Sequence, residues 1–155
     1  TMKVFTTVGT TNFDDLVKEV DKDEVKSALA NSGYTHIECQ IGSGTYTPSL
    51  PNFSYAPSLS DKFQSADLVV SHAGAGSILE ALRLGKKLIV VVNQKLMNNH
   101  QLEISRELSQ RSHLLVCESP SQLLDTILLV NSFNPVPLPP PQTNILVNQI
   151  EKLLS

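Results

Sequence analysis

Two short runs, Leu68-Val69-Val70 and Leu88-Ile89-Val90-Val91-Val92, are apolar at every position rather than at every second one. A strand with one face in water alternates. A strand that is apolar throughout is covered on both faces, as in a parallel sheet sandwiched between helices. The rest of the sequence has the pattern this requires. Strand-like runs at Lys3–Val8, Thr35–Ile41, Asp67–Ser71, Lys87–Val92 and His113–Cys117, with a shorter one at Phe53–Ala56, alternate with helically spaced stretches. Those stretches are Asn12–Ala30 (in two pieces), Leu59–Ser65, Ala75–Leu84, Asn98–Gln110 and Ser119–Val130. The expected fold is α/β, a Rossmann-like parallel sheet with helices on both faces.

The 155 residues suffice for one core, and with 41% hydrophobic and 17% charged residues a disordered chain is not expected. Net charge is −3, and the 12 Lys and Arg form no basic block, which argues against a nucleic-acid footprint. Cys39 and Cys117 are too few for a disulfide scaffold or a thiolate zinc site, so reduced thiols are expected. His72, His100, the cysteines and the carboxylates show no metal-ligand spacing. The longest aliphatic run, Leu88–Val92, is far below the ~18–20 residues that span a bilayer. Met2-Lys3-Val4-Phe5-Thr6 leads straight into a strand, so no signal peptide is expected and Asn52-Phe53-Ser54 reads as a chance glycosylation triplet. The expected organisation is an α/β domain over 2–133, a stiff proline-rich connector over 134–141 and an amphipathic terminal helix over 142–155. That helix either folds back on this domain or docks on a partner.

In doubly wound folds, ligands sit where strands give way to helices. Three such loops carry chemistry. Val8-Gly9-Thr10-Thr11-Asn12 offers a glycine turn, hydroxyls and amides suited to a phosphate; the ordinary alternative is an N-cap by Thr11 or Asn12 for a helix starting at Phe13. Ser71-His72-Ala73-Gly74-Ala75-Gly76-Ser77 is more specific. Small residues at 73–77 would let a diphosphate lie on the backbone at a helix N-terminus, which carries roughly half a positive charge. Glu80, about one turn further on and roughly 6 Å along the axis from Gly76, would hold ribose hydroxyls; the alternative is a solvated surface carboxylate. The motif lacks the third glycine and the following acid of a dinucleotide fingerprint, so NAD is not expected. Asn93 to Gln101 is rich in amides, which suit sugar hydroxyls, and Gln101, Ile104 and Leu108 share a stripe. Here the alternative is capping by Asn98 or Asn99 with an inert Gln101.

These loops resemble a known family. Val4–Thr11 with Phe13–Leu16, Gln40–Gly44, Ala66–Ser77 with Leu79-Glu80, and Asn93–Gln101 are similar to the cytosolic subunit of the eukaryotic two-subunit transferase that adds the second GlcNAc to dolichol-pyrophosphate-GlcNAc. That subunit is in turn similar to the carboxyl-terminal, nucleotide-sugar-binding half of GT-B glycosyltransferases. The resemblance runs to about residue 117. It implies a UDP-GlcNAc-binding catalytic subunit that works in N-glycan precursor synthesis, making a β1,4 linkage with inversion. Gly9, Thr10 and Thr11 would face phosphate. Gly74, Ala75, Gly76 and Ser77 would form the diphosphate loop. Glu80 would bind ribose, Asn99 and Gln101 the GlcNAc hydroxyls, and Tyr55 and Ala56 would flank the uracil. His72 stands where bacterial relatives carry a basic residue and is a candidate for catalysis. The base is otherwise expected on a membrane-anchored acceptor-binding partner, which would recruit this subunit to the cytosolic face of the endoplasmic reticulum. UDP-GlcNAc is then a substrate, with neither cofactor nor metal expected. The competing reading is a non-catalytic nucleotide-sugar-binding or regulatory module.

Overall fold

The computed structural model describes residues 2–95 and 99–139, the side chains of Asn99 and His100 excepted. Its strands are β1 (Met2–Thr7), β2 (Tyr34–Gln40), β3 (Asn52–Phe53), β4 (Leu68–His72), β5 (Lys87–Val91) and β6 (Leu115–Cys117). They form one sheet in the order β3-β2-β1-β4-β5-β6. Every pairing is parallel. Helices α1 (Asp14–Val20), α2 (Asp23–Asn31), α3 (Ser60–Ser65), α4 (Ala75–Arg83), α5 (Asn99–Gln110) and α6 (Leu123–Ile127) connect and cover the strands.

The non-alternating runs have the expected cause. Leu68, Val70, Ile89 and Val91 point into a core shared with α1, α2 and α6. Val69, Leu88, Val90 and Val92 point to the other face, into a core shared with α3, α4 and α5. All eight are essentially inaccessible to solvent, and each such side chain contributes roughly 1.5–3 kcal/mol by burial. β4 and β5 therefore anchor the sheet. β3, by contrast, pairs only with Cys39 and Gln40, and the strand expected over Phe53–Ala56 is reduced to Asn52–Phe53.

Two expected elements differ more. The first helix starts at Asp14 after an uncapped Phe13, so neither Thr11 nor Asn12 is its cap. The expected helix over Ser119–Val130 is broken into a 3-10 turn (Pro120–Gln122), α6 and a second 3-10 turn (Val130–Ser132). Pro120 fixes the first turn, and the Thr126 hydroxyl donates back to the Gln122 carbonyl at 3.0 Å, a bond that bends helices. Beyond it, the connector lies on the domain as far as Pro139. Val136 N donates to Ser112 O at 2.8 Å, His113 Nδ1 donates to Val136 O at 2.7 Å, and Leu138 packs against the α3–α5 core. The helix expected over 142–155 lies outside the described residues.

Candidate functional site

The chain fills the β2–β3 side of β1 and then crosses to β4, so the strand order reverses between β1 and β4. Such a reversal leaves a crevice beyond the carboxyl ends of the two strands, because the loops leaving them diverge to opposite faces. Here it is bordered by residues 8–13 after β1 and by Ala73 and Gly74 after β4.

The first border is held by a residue that sequence reasoning passed over. Gln40, only 1% exposed, ends β2. Its Oε1 accepts from Thr7 Oγ1 (2.6 Å), Val8 N (3.1 Å) and Gly9 N (3.1 Å). Its Nε2 donates to Gly9 O (2.9 Å) and Ser54 O (2.8 Å). The side chain thus fixes the Gly9 turn (φ +67°) and ties it to the segment after β3. The available signal is an amide between two apolar residues, Cys39 and Ile41, at the end of a strand. Because Gln40 takes the Val8 and Gly9 amides, the part of this loop left for a ligand is Thr10 and Thr11, both exposed. The Thr11 hydroxyl donates to Val8 O at 3.1 Å.

The two helix starts beside the crevice differ in charge. Asp14 and Asp15 occupy the first turn of α1 and complement its dipole. Lys95 reaches Asp15 at 3.1 Å and draws the loop after β5 to the same rim. The first turn of α4 has no acidic residue, and its N-cap, Gly74, has no side chain to cap it. The first bond of α4 is Ile78 N to Gly74 O at 3.0 Å, and the amides of Ala75, Gly76 and Ser77 meet no acceptor among the described residues. Gly76 is exposed, and a Cβ added to it would meet nothing within 4 Å. Of the two starts, only α4 offers an anion unpaired amides and an uncompensated positive pole.

His72 lies between the two borders. A methyl group built on either Gly9 or Gly74 would run into its ring. Gly74 therefore makes room for an imidazole as well as exposing backbone. Burial pushes the His72 pKa down from 6.5 to about 4, so the ring is neutral at pH 7. The unfolded chain would protonate near pH 6.5 and the native ring only near 4. Stability from the neutral ring is thus complete above pH 6.5 and is lost as pH falls through that window. The ring resonance is expected to titrate with a midpoint near 4 in a proton NMR series; a midpoint above 6 would contradict this environment.

Glu80 and Gly76 share one face of α4, where with Gln64, Leu79 and Arg83 they line a groove of 430 Å³. Ser60 Oγ donates to Glu80 Oε2 at 3.4 Å. From the other side Tyr55, 55% exposed, extends its hydroxyl to Thr10 O at 3.4 Å. Ala56 is exposed beside it. Gln101 is partly buried on the α5 stripe with buried Ile104 and Leu108. The Asn99 side chain and residues 96–98 lie outside the described part. Thus the loops after β1, β3 and β4 meet at one end of the sheet, and Lys95 brings the loop after β5 beside them.

Other chemistries fit poorly. Burial raises the Cys39 thiol to about 12 and the Cys117 thiol to about 11, which leaves no thiolate at neutral pH. Ser71, fully buried, donates to the His72 carbonyl at 2.8 Å and is no nucleophile. A larger cavity of 600 Å³ is lined by Lys3–Phe5 of β1 and Thr35–Glu38 of β2. It lies along the part of β2 that β3 leaves unpaired, not at the crevice. No described helix is long and apolar enough to cross a membrane.

A parallel Rossmann-like sheet in this strand order matches the carboxyl-terminal domains of GT-B glycosyltransferases, and solved glycosyltransferases share the fold. The chain belongs to the glycosyltransferase family 28 C-terminal domain family, whose model matches residues 3–153. It is similar to the UDP-N-acetylglucosamine transferase subunit ALG13 of Yarrowia lipolytica, 36% identical over 97% of this chain and 83% of that protein. It is also similar to the subunit of the same name from Mus musculus, 47% identical over 74% of this chain. This chain spans about a tenth of that mouse protein, 10% of its length. The NMR solution structure of ALG13 superposes with a TM-score of 0.72 at 25% identity, covering 99% of this chain and 94% of that one.

Proposed function

We propose that this chain is the UDP-GlcNAc-binding catalytic subunit of a two-subunit transferase that adds the second GlcNAc to GlcNAc-pyrophosphate-dolichol. The observation that carries the reading is the start of α4: unpaired amides at Ala75, Gly76 and Ser77, no acid in the turn, and Glu80 one turn along the same face. The diphosphate of UDP-GlcNAc sits on those amides, facing Thr10 and Thr11, and the ribose hydroxyls bond the Glu80 carboxylate. Tyr55 and Ala56 flank the uracil, and the reading assigns the sugar hydroxyls to Asn99 and Gln101. The names of the relatives support a UDP-GlcNAc donor and a subunit role.

In this reading the acceptor hydroxyl attacks the anomeric carbon of UDP-α-GlcNAc, the bond to the diphosphate breaks, and inversion gives the β1,4 product. Charge grows on the departing diphosphate. The α4 pole and its amides are already oriented toward it, so they stabilise the transition state without reorganising. The same fixed charge supplies what a metal would, so the reading assigns no metal. A base is still needed. His72, with a pKa of about 4, is too weak for efficient proton removal at neutral pH. The base therefore comes from a membrane-anchored partner that also holds the lipid acceptor at the cytosolic face of the endoplasmic reticulum. The competing reading, a binding module without transfer, draws on the same want of a base.

Titration calorimetry with UDP-GlcNAc tests binding, and a transfer assay with and without the membrane subunit tests catalysis. Glu80→Gln is expected to weaken UDP-GlcNAc about tenfold, the effect of a lost charged hydrogen bond, with an unchanged melting temperature. Undiminished affinity would remove the role of Glu80. Transfer by the isolated chain would contradict the split site, and none with the partner would favour the binding module.

A further inference from the structure

We infer that Ser60 is the positioning residue of the ribose site, holding the Glu80 carboxylate for the nucleotide through a serine relay that begins at Ser58. The inference rests on the proposed UDP-GlcNAc reading and goes one residue deeper. Ser58 Oγ donates to Ser60 Oγ at 3.1 Å, and Ser60 Oγ donates to Glu80 Oε2 at 3.4 Å. Ser60 N donates back to Ser58 Oγ at 3.2 Å. Each hydroxyl has one proton, and this arrangement uses both in one direction, ending on the carboxylate. Glu80 Oε1 has no hydrogen bond to a described residue, so it stays available as an acceptor.

The physical need is clear. A glutamate on a helix surface has freely rotating side-chain torsions, and fixing them costs conformational entropy. A carboxylate already held at one oxygen has part of that freedom removed before the nucleotide arrives. Ser60 suits the task because it sits on an anchored element. Phe63, one turn along α3, is 1% exposed and meets the Phe5 ring edge-on at 5.4 Å. The relay also begins in the segment that follows Tyr55, whose hydroxyl reaches Thr10. The side of the site assigned to the uracil and the side assigned to the ribose are therefore linked through one short stretch, residues 55–60. The contact of 3.4 Å is long for a hydroxyl on a carboxylate, and a bound ribose would draw it tighter.

The test compares two nucleotides on the full chain by calorimetry: UDP and 2′,3′-dideoxyuridine diphosphate, which lacks the hydroxyls that Glu80 would bind. The wild-type chain is expected to prefer UDP. Ser60→Ala is expected to weaken UDP roughly threefold to tenfold and leave the dideoxy nucleotide unchanged, with the melting temperature unmoved. Ser60→Thr, which keeps the hydroxyl, is expected to restore the preference. In Glu80→Gln, adding Ser60→Ala should cost nothing further. Equal weakening of both nucleotides by Ser60→Ala would mean a merely structural role and overturn the inference. An intact preference for UDP in Ser60→Ala would overturn it alone, leaving the proposed function standing. Absence of UDP binding by the wild-type chain would overturn both.

Discussion

Gln40→Leu is expected to destabilise the domain by about 3–5 kcal/mol, and to abolish UDP binding in whatever fraction still folds. The size follows from what is stranded. Leucine fills similar space yet strands the Thr7 hydroxyl, the Val8 amide and the Gly9 carbonyl, whereas the Gly9 amide keeps Thr7 Oγ1 and the Ser54 carbonyl keeps Gly42 N. A buried polar group left unsatisfied costs about 1–3 kcal/mol. Some of these groups lie near the crevice and would recover water, which keeps the sum below the full count. Gln40→Glu separates bonding from volume: a carboxylate accepts from Val8 and Gly9 but repels the carbonyls of Gly9 and Ser54. It should be at least as damaging. Chemical denaturation is the measurement, and a loss under 1 kcal/mol would mean the Gly9 turn holds itself.

Gly76→Asp should do the reverse, sparing the fold and removing the ligand. A side chain at 76 meets no neighbour, and an acid in the first turn of α4 improves the helix by about 0.3–1 kcal/mol. The same carboxylate would stand within a few ångströms of a bound diphosphate. Like charges about 4 Å apart at an effective dielectric of 20 repel by about 4 kcal/mol, so UDP affinity should fall about a hundredfold or more. Gly76→Ala, with the same added Cβ and no charge, should bind within a few-fold of the wild type. A rise in melting temperature with binding intact would place the nucleotide elsewhere.

The contrast between these positions shows what could be read in the sequence. Residues 68–70 and 88–92 announce a two-sided sheet because burial acts on each residue through its own side chain. The loop glycines are visible too, since glycine marks turns where strands end. What they make room for is not visible. Gly9 and Gly74 both face the His72 ring; Gly74 is its near neighbour in the chain, but nothing local says that the distant Gly9 will meet it. Gln40 is harder still, because its role exists only once β1, β2 and the segment after β3 are assembled. The α1 boundary was misplaced for a local reason: Thr11 and Asn12 are good caps in general, yet here the Thr11 hydroxyl turns back to Val8. The Ser119–Val130 stretch has helical spacing, which carries no record of the 3-10 turns on either side of α6.

The unequal helix starts have a consequence for orientation. Where α1 is already neutralised by Asp14 and Asp15 and α4 is not, the crevice acts as a one-way socket. In the proposed reading, a polyanion tethered to an uncharged sugar would be seated with its phosphates against α4, because turning it end for end would set them beside the acidic first turn of α1. The sugar would then enter the crevice in one orientation. The direction of entry would thus be set by electrostatic polarity before any hydroxyl of the sugar is inspected.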